Sequence, residues 1–386
     1  MLTALAVCGA SGAQLDAPSA LGAVTRTRAD PSTATLEAAA AQWPDRVQLL
    51  PLAQSGDGPP ALIAALWLQR DTSPRLPGLL IGDAGLGRQV NGAVALEQRL
   101  ARIVFAIAAR IDADDAARAL LSERPLYIAP RLGPLDAAAA RRTFAHDFPS
   151  GWLPHGFHAA ADAARPGAYP LSTPEAAALA ALLAQSQDLG AFALFDERAA
   201  ELPGEARERG FQVRADARLA PVAGHPLRHA REDLGMPALA LDLGAEVNDD
   251  AFVQRVLELL RTLPRLELSV GALERLGPQL WQLDVSIAAR VDGVWAEPGC
   301  LPEGAAIAVC AVESGVLETA ACQREPGAAF EALAVRANEC RLPRPSAAQS
   351  LGARLLVRAP LGATVRVAVR APRFGECDAR VTLEAR

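Results

Sequence analysis

Residues 76–82 read LPGLLIG, and residues 235–244 read GMPALALDLG. Each is a short apolar run bounded by glycine and proline, which is typical of a strand buried on both faces of a sheet. A third such strand is expected at 191–195, after a helix for which Thr173 is the N-cap and Pro174 the first residue. Further helices are predicted over 32–42, 91–109, 112–122 and 249–262. This alternation predicts an α/β fold with a central mixed, largely parallel sheet.

The pattern on either side of these elements suggests how the chain is divided. Apolar runs at 46–52 and 61–68 flank the turn-rich GDGPP and predict an antiparallel hairpin. From residue 266 onward, short stretches of alternating hydrophobicity predict a small β-rich domain. We therefore expect an N-terminal extension over 1–29, an α/β domain over 30–265 and a β-rich domain over 266–386.

The overall composition excludes two classes of partner. The chain has 386 residues with a net charge of −6, and all 38 of its basic residues are arginines. Because no basic face is apparent, a nucleic-acid partner is not expected. No run approaches the roughly 20 apolar residues of a membrane span. The first 14 residues lack a basic leader region, so no signal peptide is predicted, and both a cytoplasmic and an exported protein remain open.

Six cysteines are unevenly distributed along the chain. Cys8 stands alone, and the other five fall in the last quarter at Cys300, Cys310, Cys322, Cys340 and Cys377. No CxxC spacing occurs, so a zinc ribbon is not expected. Two disulfides would fit an exported β-rich domain, and buried free thiols would fit a cytosolic one equally well.

Five strings follow one another in the order known from a single family. They are 36–68 (a helix ending in WP, a strand, an SGDG turn and a second strand), 79–92 (LLIGDAGLGRQVNG), 148–152 (FPSGW), 165–182 (RPGAYPLSTPEAAALAAL) and 234–244 (LGMPALALDLG). Over about residues 30–262 the chain resembles the zinc carboxypeptidase superfamily. The resemblance implies a three-layer α/β domain with a zinc site at the ends of the sheet strands.

The resemblance also implies where the chain departs from the family. The positions of the three zinc ligands hold Leu86, Gln89 and Phe195, none of which is a good zinc ligand. The Asn-Arg pair that grips a substrate carboxylate corresponds to Ala145 and His146, so the fork of an arginine is missing at that position. The general-base glutamate corresponds to Asp242, which has the same charge on a shorter arm.

These correspondences set the candidate site residues. Asp242 is the candidate catalytic residue, and Arg142 and His146 are the candidates for substrate binding. No metal site and no cofactor are predicted; zinc enters only if unrecognised residues ligate it.

Other residues offer weaker sites. The carboxylates of Asp83, Asp196, Glu197, Asp242 and Glu246 could converge on Mg²⁺ or Ca²⁺ at the strand ends, or could simply be solvated there. His225 and His229 are four residues apart, but no HExxH surrounds them, so capping or surface roles are favoured. His146, His155 and His158 either line a pocket or are ordinary loop residues.

Two functional hypotheses follow. The first is a catalytically inactive relative of the carboxypeptidases that binds a peptide or small-molecule ligand, or a protein partner through the β-rich domain. The second is a divergent metallopeptidase or amidohydrolase that cleaves C-terminal peptide or amide bonds with Asp242 as general base.

Overall fold

The computed structural model of the chain describes part of the sequence. The described residues are 31–52, 61–68, 76–83, 96–133, 144, 147–149, 170–186, 188–195, 211–214, 225–243, 248–296, 308–325, 327–343 and 350–384. The predicted extension over 1–29 lies outside them.

A seven-stranded mixed sheet forms the centre of the first part of the chain. Its strands are β1 (Val47–Leu52), β2 (Ala61–Leu66), β3 (Gly78–Asp83), β4 (Leu126–Ala129), β5 (Leu189–Phe195), β6 (Phe211–Arg214) and β7 (Ala238–Leu243). Their order across the sheet is β1-β2-β4-β3-β5-β7-β6.

The sheet is less parallel than the sequence predicted. The pairings β4–β3, β3–β5 and β5–β7 are parallel. The pairings β1–β2, β2–β4 and β7–β6 are antiparallel. The antiparallel pairings come from the two edges of the sheet. The predicted hairpin of β1 and β2 adds two antiparallel strands at one edge, and the short β6 adds one at the other. The parallel part is the four-stranded centre.

Helices cover both faces of this sheet. They are α1 (Pro31–Gln42), α2 (Leu96–Arg110), α3 (Asp115–Glu123), α4 (Pro174–Gln185), α5 (Pro226–Arg228, continued by a π-helical turn at His229–Asp233) and α6 (Asp249–Arg261). Apolar residues of α1, α2, α3 and α6 form one core with Leu79, Ile81 and Ala193 of the sheet. Residues of α4 and α5 form a second core with Leu80 and Phe192. Because successive strand residues face opposite sides, the two cores lie on opposite faces, and the α/β architecture has three layers.

The start of α4 follows the sequence closely. Thr173 is the N-cap, its side chain accepts a hydrogen bond from the backbone N–H of Ala176, and Pro174 occupies the first turn. A side-chain acceptor at the N-cap satisfies an N–H that has no partner within the helix, and proline is favoured just after it. The predicted helix start is therefore confirmed.

The chain after α6 is rich in strands, as predicted. These are β8 (Arg265–Arg275), β9 (Leu280–Arg290), β10 (Ala308–Glu313), β11 (Val316–Gln323), β12 (Glu331–Leu333), β13 (Val335–Arg336), β14 (Glu339–Leu342), β15 (Leu351–Arg358), β16 (Thr364–Ala371) and β17 (Gly375–Thr382). They form two five-stranded antiparallel sheets, β13-β14-β10-β16-β17 and β12-β11-β15-β9-β8. Alternate residues of β9 and β15 are buried in a core that both sheets share, which is the arrangement of a β-sandwich.

The sandwich contacts the seven-stranded sheet at the edge where its central strands begin. The guanidinium of Arg373, in the β16–β17 turn, donates hydrogen bonds to the backbone carbonyls of Leu183, Ser186 and Leu189, at 2.6, 2.7 and 2.9 Å. These carbonyls lie at the end of α4, just after it and at the start of β5. We call this the amino edge of the sheet.

A second arginine reinforces the amino edge. The buried Arg124 donates hydrogen bonds to the carbonyls of Pro77, at 3.1 Å, and of Leu263, at 3.4 Å. Burial lowers the pKa of Arg124 to about 10, so it remains a cation at neutral pH. The start of β3 and the connection from α6 to β8 are thereby held together. In the described part of the chain, no helix is both long enough and apolar enough to cross a membrane.

Candidate functional site at the carboxyl edge of the sheet

The ends of β3, β5 and β7 lie side by side. Asp83 is in register with Phe195, and Phe195 with Leu241, which Asp242 follows directly. We call this row the carboxyl edge. Open α/β sheets bind ligands at the carboxyl ends of their parallel strands, so this edge is where a site is expected. The topology thus brings Asp242, the candidate base, next to Phe195, which occupies the position of a ligand predicted to be lost.

Phe195 belongs to the hydrophobic core. Its side chain is 1% exposed and lies in the core under α2 and α6. Its ring stacks on that of Phe252 in α6, with centroids 5.7 Å apart and planes inclined by 25°. A phenyl ring has no lone pair to offer, whereas zinc needs nitrogen, sulfur or oxygen ligands. At this position the chain does not fit a zinc ion. Leu86 and Gln89, the other two positions, lie outside the described residues.

Asp83 lies at the carboxyl edge, and its carboxylate side chain is among those that the structure describes. It is 6% exposed, and its backbone carbonyl accepts a hydrogen bond from the N–H of Leu132 at 2.8 Å. The preceding Gly82 allows this contact, because a Cβ there would come within 2.2 Å of the Leu132 side chain. The residues after β4 therefore pack directly against the end of β3.

The structure describes no side-chain arrangement for the remaining carboxylates of the predicted metal cluster. The backbone of Asp242 pairs with Gln212 of β6, and Asp196, Glu197 and Glu246 lie outside the described residues. Among the described side chains, no group of three or more histidines, cysteines, aspartates or glutamates is arranged to hold a metal ion.

Sequence reasoning missed one polar residue near the start of α4. The carboxylate of Asp147, fully buried, accepts hydrogen bonds from the Ser172 hydroxyl at 2.8 Å, the Thr173 N–H at 2.7 Å and the Thr173 hydroxyl at 2.9 Å. A buried carboxylate needs such donors. Asp147 thus ties the segment after His146 to the N-terminus of α4, and nothing in the local sequence pairs these distant positions.

The next residue, Phe148, begins the FPSGW string and is also buried. Its ring makes an edge-on contact with Phe144, at 5.6 Å between centroids, and a tilted contact with His229, at 5.7 Å. It lies in the core beneath α4. Phe148 therefore packs in the interior instead of lining an open pocket.

The histidines of α5 have structural contacts. The Nδ1 of His225 accepts a hydrogen bond from the N–H of Leu227 at 3.2 Å and caps the helix, which Pro226 begins. The Nδ1 of His229 lies 2.7 Å from a carboxylate oxygen of Asp233. A capping role was predicted, and for His225 it is confirmed. The predicted surface location was wrong for both histidines, which are 4% and 7% exposed. They are buried because Phe148 and the second core cover this helix.

The other site residues remain predictions. Arg142, His146, His155 and His158 lie outside the described residues, so the structure says nothing of their side chains.

Comparisons with known proteins were made over the whole chain. No protein-family model matches the sequence, and no curated protein matches it. Among solved structures, that of thrombin-activatable fibrinolysis inhibitor is similar at 14% identity, covering 58% of this chain and 67% of that one, with a TM-score of 0.39. Carboxypeptidase A from Helicoverpa armigera is similar at 13% identity, covering 62% and 76%, with a TM-score of 0.41.

A third solved structure is similar to the chain at comparable values. The metallo-carboxypeptidase from Burkholderia cenocepacia is 18% identical, covers 58% of this chain and 65% of its own, and has a TM-score of 0.36. With identities below 20% and TM-scores below 0.5, these matches assign neither a family nor an activity to the chain. The chain is similar to metallocarboxypeptidases in structure.

Proposed function

We propose that this chain is a carboxypeptidase-like protein that has lost its zinc ligands and acts by binding, without catalysing hydrolysis. The observation that carries the proposal is Phe195. The family resemblance expects a histidine ligand at this strand end, and the chain has a phenylalanine packed on Phe252 in the core.

The side chain at position 195 contributes to the stability of the fold. A fully buried phenylalanine removes a large apolar surface from water, and its stacked neighbour adds packing energy. A histidine there would bury a polar ring among apolar side chains, at a cost unless it bound a metal or a hydrogen-bond partner. Leu86 and Gln89 extend the argument by sequence alone, because the three family ligands would be missing together.

We place the binding site at the carboxyl edge. In the described residues the β-sandwich contacts the α/β part at the amino edge, through Arg373, and this leaves the opposite edge for a ligand in our proposal. The ligand class is a peptide or small molecule with an acidic end, for which Arg142 and His146 would supply positive charge and hydrogen bonds. The β-rich domain is a second surface, available to a protein partner.

Metal content and hydrolysis test the loss of catalysis. The full chain is purified without chelator, its zinc is measured by mass spectrometry, and it is assayed on blocked dipeptides with a free C-terminal carboxylate, beside an active metallocarboxypeptidase. We expect far less than one zinc per chain and no hydrolysis. Stoichiometric zinc together with hydrolysis would overturn the proposal.

Titration calorimetry tests the binding site. We expect the same blocked dipeptide to bind intact, its C-terminal amide to bind more weakly, and Arg142→Ala to remove that difference. Equal binding of acid and amide to the unaltered chain would contradict a carboxylate site.

The divergent-enzyme alternative has one observation in its favour. Asp242 occupies the end of β7 beside β5, where the family resemblance expects the general base. If the alternative holds, Asp242→Asn abolishes a hydrolysis that the unaltered chain performs, since an amide cannot accept the proton. If the binding proposal holds, there is no hydrolysis for this variant to lose.

A further inference from the structure

Two cysteines face each other in the β-sandwich. In the antiparallel pair β10–β14, Cys310 is the direct partner of Cys340. They are 0% and 1% exposed, and both belong to the core that the two sheets share. The structure shows both as free thiols.

The geometry of the ladder suits a covalent bond between them. Directly opposed residues of an antiparallel pair have Cα atoms about 4.5 or 5.5 Å apart, and both side chains lie on the same face. A disulfide spans Cα separations of about 4.4–6.8 Å. The ladder continues regularly beyond the pair, since Val312 N–H donates to the Asn338 carbonyl at 3.0 Å.

The other described cysteines are less suited to pair with either of them. Cys377 is in register with Val369, which is in register with Cys310, so it lies two strands away from Cys310. Two strand spacings are about 9–10 Å, beyond the reach of a disulfide. Cys322 belongs to the facing sheet, where its partners are Glu331 and Ala353.

We propose that Cys310 and Cys340 form a cross-strand disulfide when the chain folds in the presence of a disulfide oxidant such as oxidised glutathione. One cysteine thiolate attacks the glutathione disulfide, which gives a mixed disulfide and releases one glutathione thiolate. The second cysteine, after losing its proton, attacks the protein sulfur of the mixed disulfide and releases the second glutathione. Two protein thiols lose two electrons, and one oxidised glutathione becomes two reduced ones.

The surroundings of the pair determine when the bond forms. Both thiols are at most 1% exposed in the folded chain, so oxidised glutathione has no access to them there. Exchange therefore belongs to folding, before the sandwich closes. The bond would close a loop that leaves one sheet at β10, passes through β11 and β12 in the other sheet, and returns through β13 to β14.

Peptide mapping tests the pairing. The full chain is reduced, unfolded and refolded in a mixture of reduced and oxidised glutathione, then quenched in acid, alkylated and digested. We expect a linked peptide containing Cys310 and Cys340, lighter by two hydrogens than its parts and separated by reductant. Alkyl label on both cysteines of the refolded chain, or a predominant pairing of either with another cysteine, would refute the proposal.

Matched variants make the result specific. Cys340→Ser is expected to lose the linked peptide and to leave Cys310 alkylated, whereas Cys377→Ser, on the same sheet, is expected to retain the link in full. Loss of the link in Cys377→Ser would show that the pairing depends on a different cysteine and would overturn the assignment. The mapping of the unaltered chain stands even if one variant fails to fold.

Discussion

The two edges of the seven-stranded sheet are built in different ways. At the amino edge, the buried Arg124 and the half-buried Arg373 bind backbone carbonyls, and closely packed glycines join β3, β5 and the β-sandwich. At the carboxyl edge, the described side chains include a core phenylalanine, Phe195, and a buried carboxylate, Asp83. The difference teaches that, among the described residues, the carboxyl ends of the central strands contribute to core packing, whereas their amino ends are joined to neighbouring segments by contacts to backbone carbonyls. Substitutions at each edge can test that contrast.

The largest effect is expected at the carboxyl edge. Phe195→Ala removes a fully buried ring and leaves a cavity next to Phe252, so we expect the free energy of unfolding to fall by about 4 kcal/mol. Urea unfolding followed by circular dichroism measures it. Phe195→Leu is the control and should cost less than about 1.5 kcal/mol, because most of the volume is kept. A loss below about 1 kcal/mol in Phe195→Ala would contradict a structural role for this position.

The amino edge should respond nearly as strongly at Arg373. Arg373→Ala removes three hydrogen bonds from a charged donor to carbonyls of the sheet domain, and we expect a loss of about 3 kcal/mol. The exposed Arg380 on the neighbouring β17 provides the control, since Arg380→Ala should change stability by less than about 0.5 kcal/mol. A separate, earlier unfolding step of the β-sandwich in Arg373→Ala would also show that this contact couples the sandwich to the seven-stranded sheet. Equal behaviour of the two variants would argue against that coupling.

A glycine at the amino edge tests how tightly it is packed. A Cβ at Gly78 would lie 2.0 Å from the carbonyl oxygen of Pro125, so Gly78→Ala must push two backbones apart. We expect a loss of about 2 kcal/mol. Gly277 in the β8–β9 turn is the matched control, because the nearest atom to its added Cβ is 3.7 Å away. Thermal unfolding of the two variants side by side gives the comparison, and a stable Gly78→Ala would mean a looser edge than described.

The smallest effect is expected at the start of α4. Thr173→Ala removes the helix cap and one donor to Asp147, and we expect a loss of about 1 kcal/mol in chemical denaturation. Thr173→Ser keeps the hydroxyl and should lie within about 0.5 kcal/mol of the unaltered chain. Were the two variants equally destabilised, the lost methyl group would be responsible and the cap would not.

Much of the fold could be predicted because its strongest signals are local. The apolar runs of β3 and β7 and the Thr-Pro-Glu start of α4 each carry their structure within a few residues. The antiparallel β6 was missed, because FQVR alternates apolar and polar residues over only four positions and the strand depends on pairing with β7. The carbonyl contacts of Arg373 join residues more than 180 positions apart, which no local pattern reveals.

The site was less predictable than the fold. The predicted surface location of His225 and His229 took polarity as a sign of exposure, but Phe148, from a distant segment, contacts the ring of His229 and both histidines are buried. The position of Asp242 on β7 agrees with the strand predicted for it, whereas its role as a base rests on resemblance alone. Leu86, Gln89, Arg142 and His146 stay predictions, because they lie outside the described residues.

The contacts of Arg373 also bear on how this protein can change over generations. Its three acceptors are main-chain carbonyls, which every amino acid supplies. A partly exposed acceptor position such as Ser186 can therefore drift to many other residues without loosening the attachment, while position 373 cannot lose its guanidinium. We expect selection to act on one side of this junction and neutral drift to dominate on the other.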